Sequence, residues 1–371
     1  MRRRLINVLA AVCLPFALLG LRKPRDPWRR IAELSLAGDE AKFTLAAFGL
    51  AVTADTLEDR LRDFLQAENT PLARVTLRGP FLTFDQHPHR FAPPDPGASR
   101  EASGRVVNFT ARSTPNAGLD LWMRVNHAVA DGVPMQEMLT RLAENFGRVH
   151  QTRFPAEAQV TQTSSSRGVA MATGFYDFQP LLQWRRKLNA ALENPLGVGG
   201  LLVWQLAQQP EFAGANFAVV ADIPEDDTFP RGVDFIVIQP DEFFGLGDCA
   251  LEAFASEFAK RLARARSRTS RTFRTMKTTA LLPAPLARAA MRLNVRARQR
   301  TFGTIGISII KNAEVFLAPI GEFGFERGFI GIGRMDLPAE SGGTVGAVSI
   351  KGSPELVASY PEALRRALAV Q

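Results

Sequence analysis

The stretch "RVNHAVADGVP", Arg124 to Pro134, decides how this 371-residue sequence is interpreted. It places His127, one of only four histidines, after an apolar run and four residues before Asp131, which Gly132 follows directly. The end of a strand is where a rigid scaffold presents a reactive group. The carboxylate can hold the loop by pairing with an arginine, and glycine permits a backbone turn. The spacing therefore favours a catalytic base over a histidine that only makes structural hydrogen bonds.

Outward from this motif, the first half of the sequence alternates strand and helix patterns. The run "KFTLAAFGLAV" predicts a strand, and "TADTLEDRLRDFLQ" predicts a helix after it. Three more strands are predicted at "ARVTLRGPFLTF", "RVVNFTAR" and "LDLWMRV". A helix is predicted to begin at Pro134, because proline is favoured in the first turn. The apolar faces of the two helices are Leu57, Leu61, Phe64 and Leu65 in the first, and Met135, Met138, Leu139, Leu142 and Phe146 in the second.

The second half repeats these patterns after a polar segment from Thr152 to Gly168, which is interpreted as a crossover between two lobes. Strands are predicted at "NFAVVADI", "VDFIVIQP", "TIGISII", "RGFIGIGRM" and "GTVGAVSI", and helices at "CALEAFASEFAKRLARA" and "SPELVASYPEALRRALA". We therefore predict an α/β fold of two lobes with mixed sheets flanked by helices. The N-terminal lobe is expected to span 31–151 and the C-terminal lobe 152–371.

The motif "NHAVADG" resembles the HxxxDG motif of the CoA-dependent acyltransferase superfamily, which includes chloramphenicol acetyltransferase, the dihydrolipoyl acyltransferases and the condensation domains of peptide synthetases. The order of elements from Lys42 to Phe146 is similar to the first lobe of condensation-type members. The segment "RTFGTIGISIIKNAEVFLAPIGEFGFERGFIGIGRM" is similar to the one that precedes the C-terminal motif of dihydrolipoyl acyltransferases. The resemblance implies a chloramphenicol-acetyltransferase-like fold with its active centre in a tunnel between the lobes.

The same resemblance implies acyl transfer from the thioester of CoA or of a carrier protein to a hydroxyl or amine of a small molecule. His127 would be the general base, and Ser308 matches a Ser/Thr position that stabilises the thioester oxyanion. Asp131 and Gly132 would support the loop, and Asn126 stands where the HHxxxDG variant has a histidine. CoA would then be a co-substrate, with no bound cofactor and no metal.

One part of the family pattern is absent from the second lobe. Near "GAVSIKGSPELV" there is neither a histidine nor a following Asp-Gly, so the C-terminal lobe has a degenerate second motif. We therefore predict a single active centre. A condensation-type amide or ester synthase and a catalytically degenerate acyl-binding scaffold remain the alternatives.

Charge distribution leaves several partners open. The net charge is +8, and no acidic residue occurs between Glu257 and Glu314, where arginines accumulate. This segment is interpreted as a solvated face, as a wall that binds CoA phosphates through Arg296 and Arg298, or as a surface for an anionic membrane. The sequence has no zinc-finger, RNP-type or KH pattern, which argues against nucleic acid as a partner.

The N-terminus and the cysteines bear on location. The first 30 residues have basic ends around an apolar run from Leu5 to Leu21, which favours a cytoplasmic protein attached to a membrane through this segment. A core-packed helix and a cleaved export signal are the alternatives. Cys13 and Cys249 lie far apart and in no ligand spacing, so neither a disulfide framework nor a zinc site is indicated. Cys249 is expected to be a buried apolar residue.

Overall fold

The computed structural model describes residues 42–67, 75–78, 81–84, 107–113, 118–126, 132–149, 153–154, 170–223, 232–280, 300–317 and 325–369. The predicted N-terminal helix, the motif residues His127 and Asp131, and the basic residues Arg296 and Arg298 lie outside these ranges, as does most of the predicted crossover. No helix within the described ranges combines the length and the apolar character that crossing a membrane requires.

The N-terminal half contributes five strands and two helices. The strands are β1 (Lys42–Leu50), β2 (Val75–Arg78), β3 (Phe81–Phe84), β4 (Val107–Ser113) and β5 (Leu119–Asn126). The helices are α1 (Ala54–Ala67) and α2 (Gly132–Phe146).

The C-terminal half contributes the other described elements. Its strands are β6 (Ala170–Tyr176), β7 (Phe217–Ile223), β8 (Gly232–Ile238), β9 (Ile305–Ile309), β10 (Val315–Leu317), β11 (Gly328–Ile332), β12 (Leu337–Pro338) and β13 (Thr344–Gly352). Its helices are α3 (Gln179–Asn189), α4 (Val198–Ala207), the short α5 (Asp241–Phe244), α6 (Ala250–Arg266), α7 (Arg271–Ala280) and α8 (Pro354–Leu368).

Two large sheets organise these elements. The smaller has the order β10-β1-β5-β4, and the larger runs β12-β13-β11-β9-β7-β8, with β6 also paired to β13. Pairs β11–β9 and β9–β7 are parallel, while the other pairs are antiparallel, so the larger sheet is mixed. Strand β10 comes from the C-terminal half but pairs with β1, with Phe316 opposite Leu45. The chain between β9 and β10 therefore joins one sheet to the other.

The sequence patterns predicted most of these elements. Every residue of the two predicted apolar helix faces is buried, which confirms α1 and α2. However, α2 begins at Gly132 and not at Pro134. Pro134 still fits, because it stands in the first turn, where backbone N–H groups have no partner within the helix. The prediction that Cys249 is buried is wrong, since it is exposed immediately before α6.

The two faces of the larger sheet pack against different cores. Ile305 and Ile307 of β9 belong to the core beneath α4, α6 and α8. Ile310, just after the strand, joins the core that is built on β1, β5, α1 and α2. Side chains alternate between faces along a strand, so Ser308 lies on the same face as Ile310. This face of the larger sheet is the one that meets the N-terminal half.

Candidate functional site

The structure fixes the two ends of the HxxxDG motif. Strand β5 ends at Asn126, which is opposite Lys42 of β1, and α2 begins at Gly132. The chain between them, which includes His127 and Asp131, lies outside the described residues. The predicted strand-then-helix context of the motif is confirmed by these two ends.

Gly132 contacts the segment that follows β9. A Cβ atom on Gly132 would lie 2.6 Å from Ile310 Cδ1 and 3.8 Å from Phe316 Cε2. The first distance is shorter than real Cβ contacts allow, so only glycine fits without displacement. Gly132 is helical and is not among the glycines with positive φ. Gly132 therefore packs closely against Ile310, and its role in the turn of the motif stays a prediction, because that turn lies outside the described residues.

Ser308 is buried on this face and its hydroxyl is available for hydrogen bonding. Its residue is only 8% exposed, and it sits opposite Gly331 of β11. Among the described residues, Ser308 Oγ has no hydrogen-bond partner. Ser349 of β13 is also buried, yet its Oγ donates to the carbonyl oxygen of Phe316. The two serines therefore differ. The Ser349 hydroxyl makes a structural hydrogen bond, whereas the Ser308 hydroxyl has no partner among the described residues.

Helix α2 runs beside the segment Ile310–Glu314, which links β9 to β10. We call it the crossover segment; it is distinct from the crossover predicted at Thr152 to Gly168. Gly132 lies against Ile310, and Gln136, one turn later, donates from Nε2 to the carbonyl oxygen of Asn312 at 3.0 Å. Residue numbers increase in the same direction along α2 and along the crossover segment, since residue 132 contacts 310 and residue 136 contacts 312. The N-terminal end of α2, where the motif ends, is thus the end of the helix nearer to Ser308.

An ion pair joins the chain after α2 to the crossover segment. Arg148 pairs with the carboxylate of Glu314 and donates to the carbonyl oxygen of Phe48 at 2.7 Å. The other oxygen of Glu314 accepts from the Phe48 backbone N–H at 2.8 Å. A buried carboxylate is favourable only when further hydrogen bonds replace its lost hydration, and Phe48 supplies them here. The crossover segment is consequently anchored to both ends of the motif helix.

The described part of the basic segment contains one arginine with structural contacts and a set of exposed cations. Arg261 is structural, because it donates to Glu257 Oε1 at 2.7 Å and to the carbonyl oxygen of Val237. The exposed cations of this part are Lys260, Arg264 and Arg266 on α6, Arg271, Arg274 and Lys277 on α7, and Arg300 and Lys311 outside these two helices. The three interpretations of the basic segment thus stay open.

Sequence reasoning missed Gln136 and the pair of Arg148 and Glu314. The sequence carried one signal for Gln136, because this polar residue interrupts the predicted apolar face of α2. The structure shows that the residue is only 5% exposed. The pair carried no such signal, because its two residues lie 166 positions apart.

No protein-family model matches the sequence, and no curated protein matches it either. Solved structures do match over nearly the whole chain. Polyketide synthase associated protein 5 from Mycobacterium tuberculosis has a TM-score of 0.54 at 11% identity, with 94% of this chain and 97% of that chain covered. TRI101 of F. graminearum, complexed with coenzyme A and deoxynivalenol, has a TM-score of 0.52 at 11% identity, with 91% and 96% covered.

A third match is a variant of the starter condensation domain of rhizomide synthetase RzmA in complex with C8-CoA and Leu-SNAC. Its TM-score is 0.51 at 11% identity, and 95% of this chain and 96% of that chain are covered. The fold is therefore the two-lobed α/β, chloramphenicol-acetyltransferase-like fold of condensation domains. The resemblance that "NHAVADG" suggested is confirmed at the level of the fold.

Proposed function

We propose that this protein transfers an acyl group from a CoA or carrier-protein thioester to a hydroxyl or amine, with His127 as the general base. The observation that carries the proposal is the packing of Gly132 against Ile310. It brings the end of the HxxxDG motif beside the segment that starts two residues after Ser308. A base and an oxyanion donor from different halves of the chain would thus share one site between the lobes.

The chemistry of acyl transfer fits these residue types. A hydroxyl or amine attacks a thioester slowly unless a base removes its proton, and a neutral imidazole can do so near pH 7. The carbonyl oxygen then gains negative charge and needs a preorganised donor. Ser308 Oγ, buried and without a partner among the described residues, has a proton to donate. Attack by the acceptor forms the new acyl bond and breaks the C–S bond of the thioester, and the CoA or carrier sulfur leaves as a thiol after it takes the proton that His127 removed from the acceptor.

The structural neighbours support a thioester donor. TRI101 was crystallised with coenzyme A and deoxynivalenol, and the RzmA domain with C8-CoA and Leu-SNAC. Both proteins share this fold with the present chain. The second of these complexes favours amide condensation as the runner-up reaction for this chain, in which the acceptor amine would itself be carried on a thioester.

The test is a thiol-release assay with a panel of acyl-CoAs and of hydroxyl and amine acceptors. The proposal expects release that depends on both substrates and yields the acylated acceptor by mass spectrometry. Protein that binds acyl-CoA, yet never releases thiol faster than buffer with any acceptor or carrier-bound donor, would instead be an acyl-binding scaffold. Release that requires an aminoacyl thioester as acceptor would point to the condensation reaction.

A further inference from the structure

Gln136 is a buried polar residue with an unusual set of contacts. Its Nε2 donates to the Asn312 carbonyl oxygen at 3.0 Å and to Thr140 Oγ1 at 3.1 Å. Thr140 Oγ1 in turn donates to the carbonyl oxygen of Gln136 at 2.9 Å. The first of these contacts spans 176 positions and links α2 to the crossover segment.

The orientation of the Gln136 amide follows from its partners. A carbonyl oxygen can only accept, so the atom that faces Asn312 O must be the NH₂ group. Both amide hydrogens are then used, and the buried Oε1 has no hydrogen-bond partner among the residues that the structure describes. A buried acceptor without a partner is rare in native proteins. A residue selected for stability alone would be apolar at this position, like Met135 and Leu139 on the same face.

We infer that Gln136 is a positioning residue, which holds the first turn of α2 in register with the crossover segment. Gly132 and Ile310 supply close packing, but apolar packing is not directional and permits sliding. The hydrogen bond from Gln136 to Asn312 O fixes that register. It thereby fixes the separation between the motif that precedes α2 and Ser308 that precedes the crossover segment. This role rests on the proposed function.

Gln136→Met tests the role, because methionine has a similar length, favours helices and lacks both polar groups. Thr140→Val is the matched control, since it removes the other partner of Nε2 but leaves Asn312 in place. Hydrogen exchange of the hydrogen-bonded amides of 136–143 and of Ala313, the melting temperature, and the steady-state kinetics of acyl transfer are measured for both variants.

The inference expects exchange in Gln136→Met to rise about tenfold at these amides as the register loosens. It expects kcat to fall about 10- to 100-fold through misplacement of the reacting groups, with KM for acyl-CoA unchanged. The melting temperature should move by less than about 3 °C, because the variant also removes the orphaned acceptor. Thr140→Val should leave exchange and kcat close to wild type.

Three results would overturn the inference. They are unchanged exchange in Gln136→Met, a fall in kcat that is matched by a large loss of thermal stability, or the same effects in Thr140→Val. If the wild-type protein transfers no acyl group, the proposed function fails. The exchange measurement still decides in that case whether Gln136 holds the register of α2.

Discussion

Gly132 packs against Ile310 so closely that a single added carbon on the glycine would overlap the Cδ1 atom of the isoleucine. This contact joins the residue that ends the HxxxDG motif to the segment that follows Ser308. It connects two parts of the chain that the sequence places far apart, and it does so on the face where the two halves meet. The account of the site depends on this contact.

Gly132→Ala should destabilise the protein by about 1 kcal/mol, because the added carbon forces the flexible end of the Ile310 side chain away from its present rotamer. Only the Cδ1 atom of Ile310 lies within overlap distance, and Ile310→Val deletes that atom. The double variant should therefore recover most of the lost stability in thermal unfolding. Gly245→Ala is the control, since no atom lies within 4 Å of a Cβ atom there. A double variant no more stable than Gly132→Ala would show that the contact is not the cause.

Ser308→Ala should lower kcat and leave stability nearly unchanged, whereas Ser349→Ala should lower stability and leave kcat nearly unchanged. Loss of an oxyanion donor costs about 100-fold in kcat, so Ser308→Ala should remain folded and turn over slowly. Ser349→Ala leaves the Phe316 carbonyl oxygen without its donor, which costs about 1–3 kcal/mol of stability and should leave kcat in the folded protein nearly unchanged. Kinetics and urea unfolding of both variants provide the comparison. Wild-type kcat in Ser308→Ala would remove this residue from the mechanism.

The two tyrosines of the chain should lose their protons over the same range of pH, and at a higher pH than exposed tyrosines do. Burial raises the pKa of Tyr176 and of Tyr360 to about 12, from a usual value of 10.0. The unfolded chain therefore loses these protons at a lower pH than the folded chain. Stability is unaffected below about pH 10 and falls as the pH rises from there towards about 12. Tyrosinate absorbance should thus appear with unfolding, as followed by circular dichroism.

Tyr360→Phe should halve that absorbance change while losing one hydrogen bond, which Tyr360 Oη donates to the Arg327 carbonyl oxygen at 2.7 Å. Tyrosinate that forms near pH 10 in protein with an intact fold would show that at least one ring is open to solvent.

Reversal of Arg296 and Arg298 to Glu should raise KM for acyl-CoA about tenfold, with little change in KM for the acceptor, if these side chains bind CoA phosphates. Reversal of Arg264 and Arg266 on the exposed end of α6 makes the same change in net charge and is the control. An unchanged KM combined with release of the protein from anionic vesicles would assign the pair to a membrane surface instead.

The spacing of apolar residues predicted helices that have one buried and one exposed face. Helices α1 and α2 carry apolar residues at helical spacing, and the structure buries the expected sides. Helix α4 was not predicted, because it is buried almost all round and shows little amphipathic pattern. Strand β10 was not predicted either, since its three residues are too few to show a period.

The site could be predicted only where it is local in sequence. The HxxxDG spacing indicated the strand, the loop and the helix, and family resemblance indicated Ser308. The contacts that bring these parts together could not be predicted, because Gly132 and Ile310, like Gln136 and Asn312, lie more than 170 positions apart and meet only in the folded protein. The close approach of Gly132 to Ile310 is likewise a contact that the spacing of the motif did not indicate.

The role of His127 is tested by the rate of acyl transfer in His127→Ala with saturating acyl donor and acceptor. We expect this rate to fall about 100-fold or more, with the affinity for acyl donor and the melting temperature close to wild type. Wild-type turnover in this variant, at equal donor occupancy, would contradict the assignment of His127 as the base and with it the proposed site.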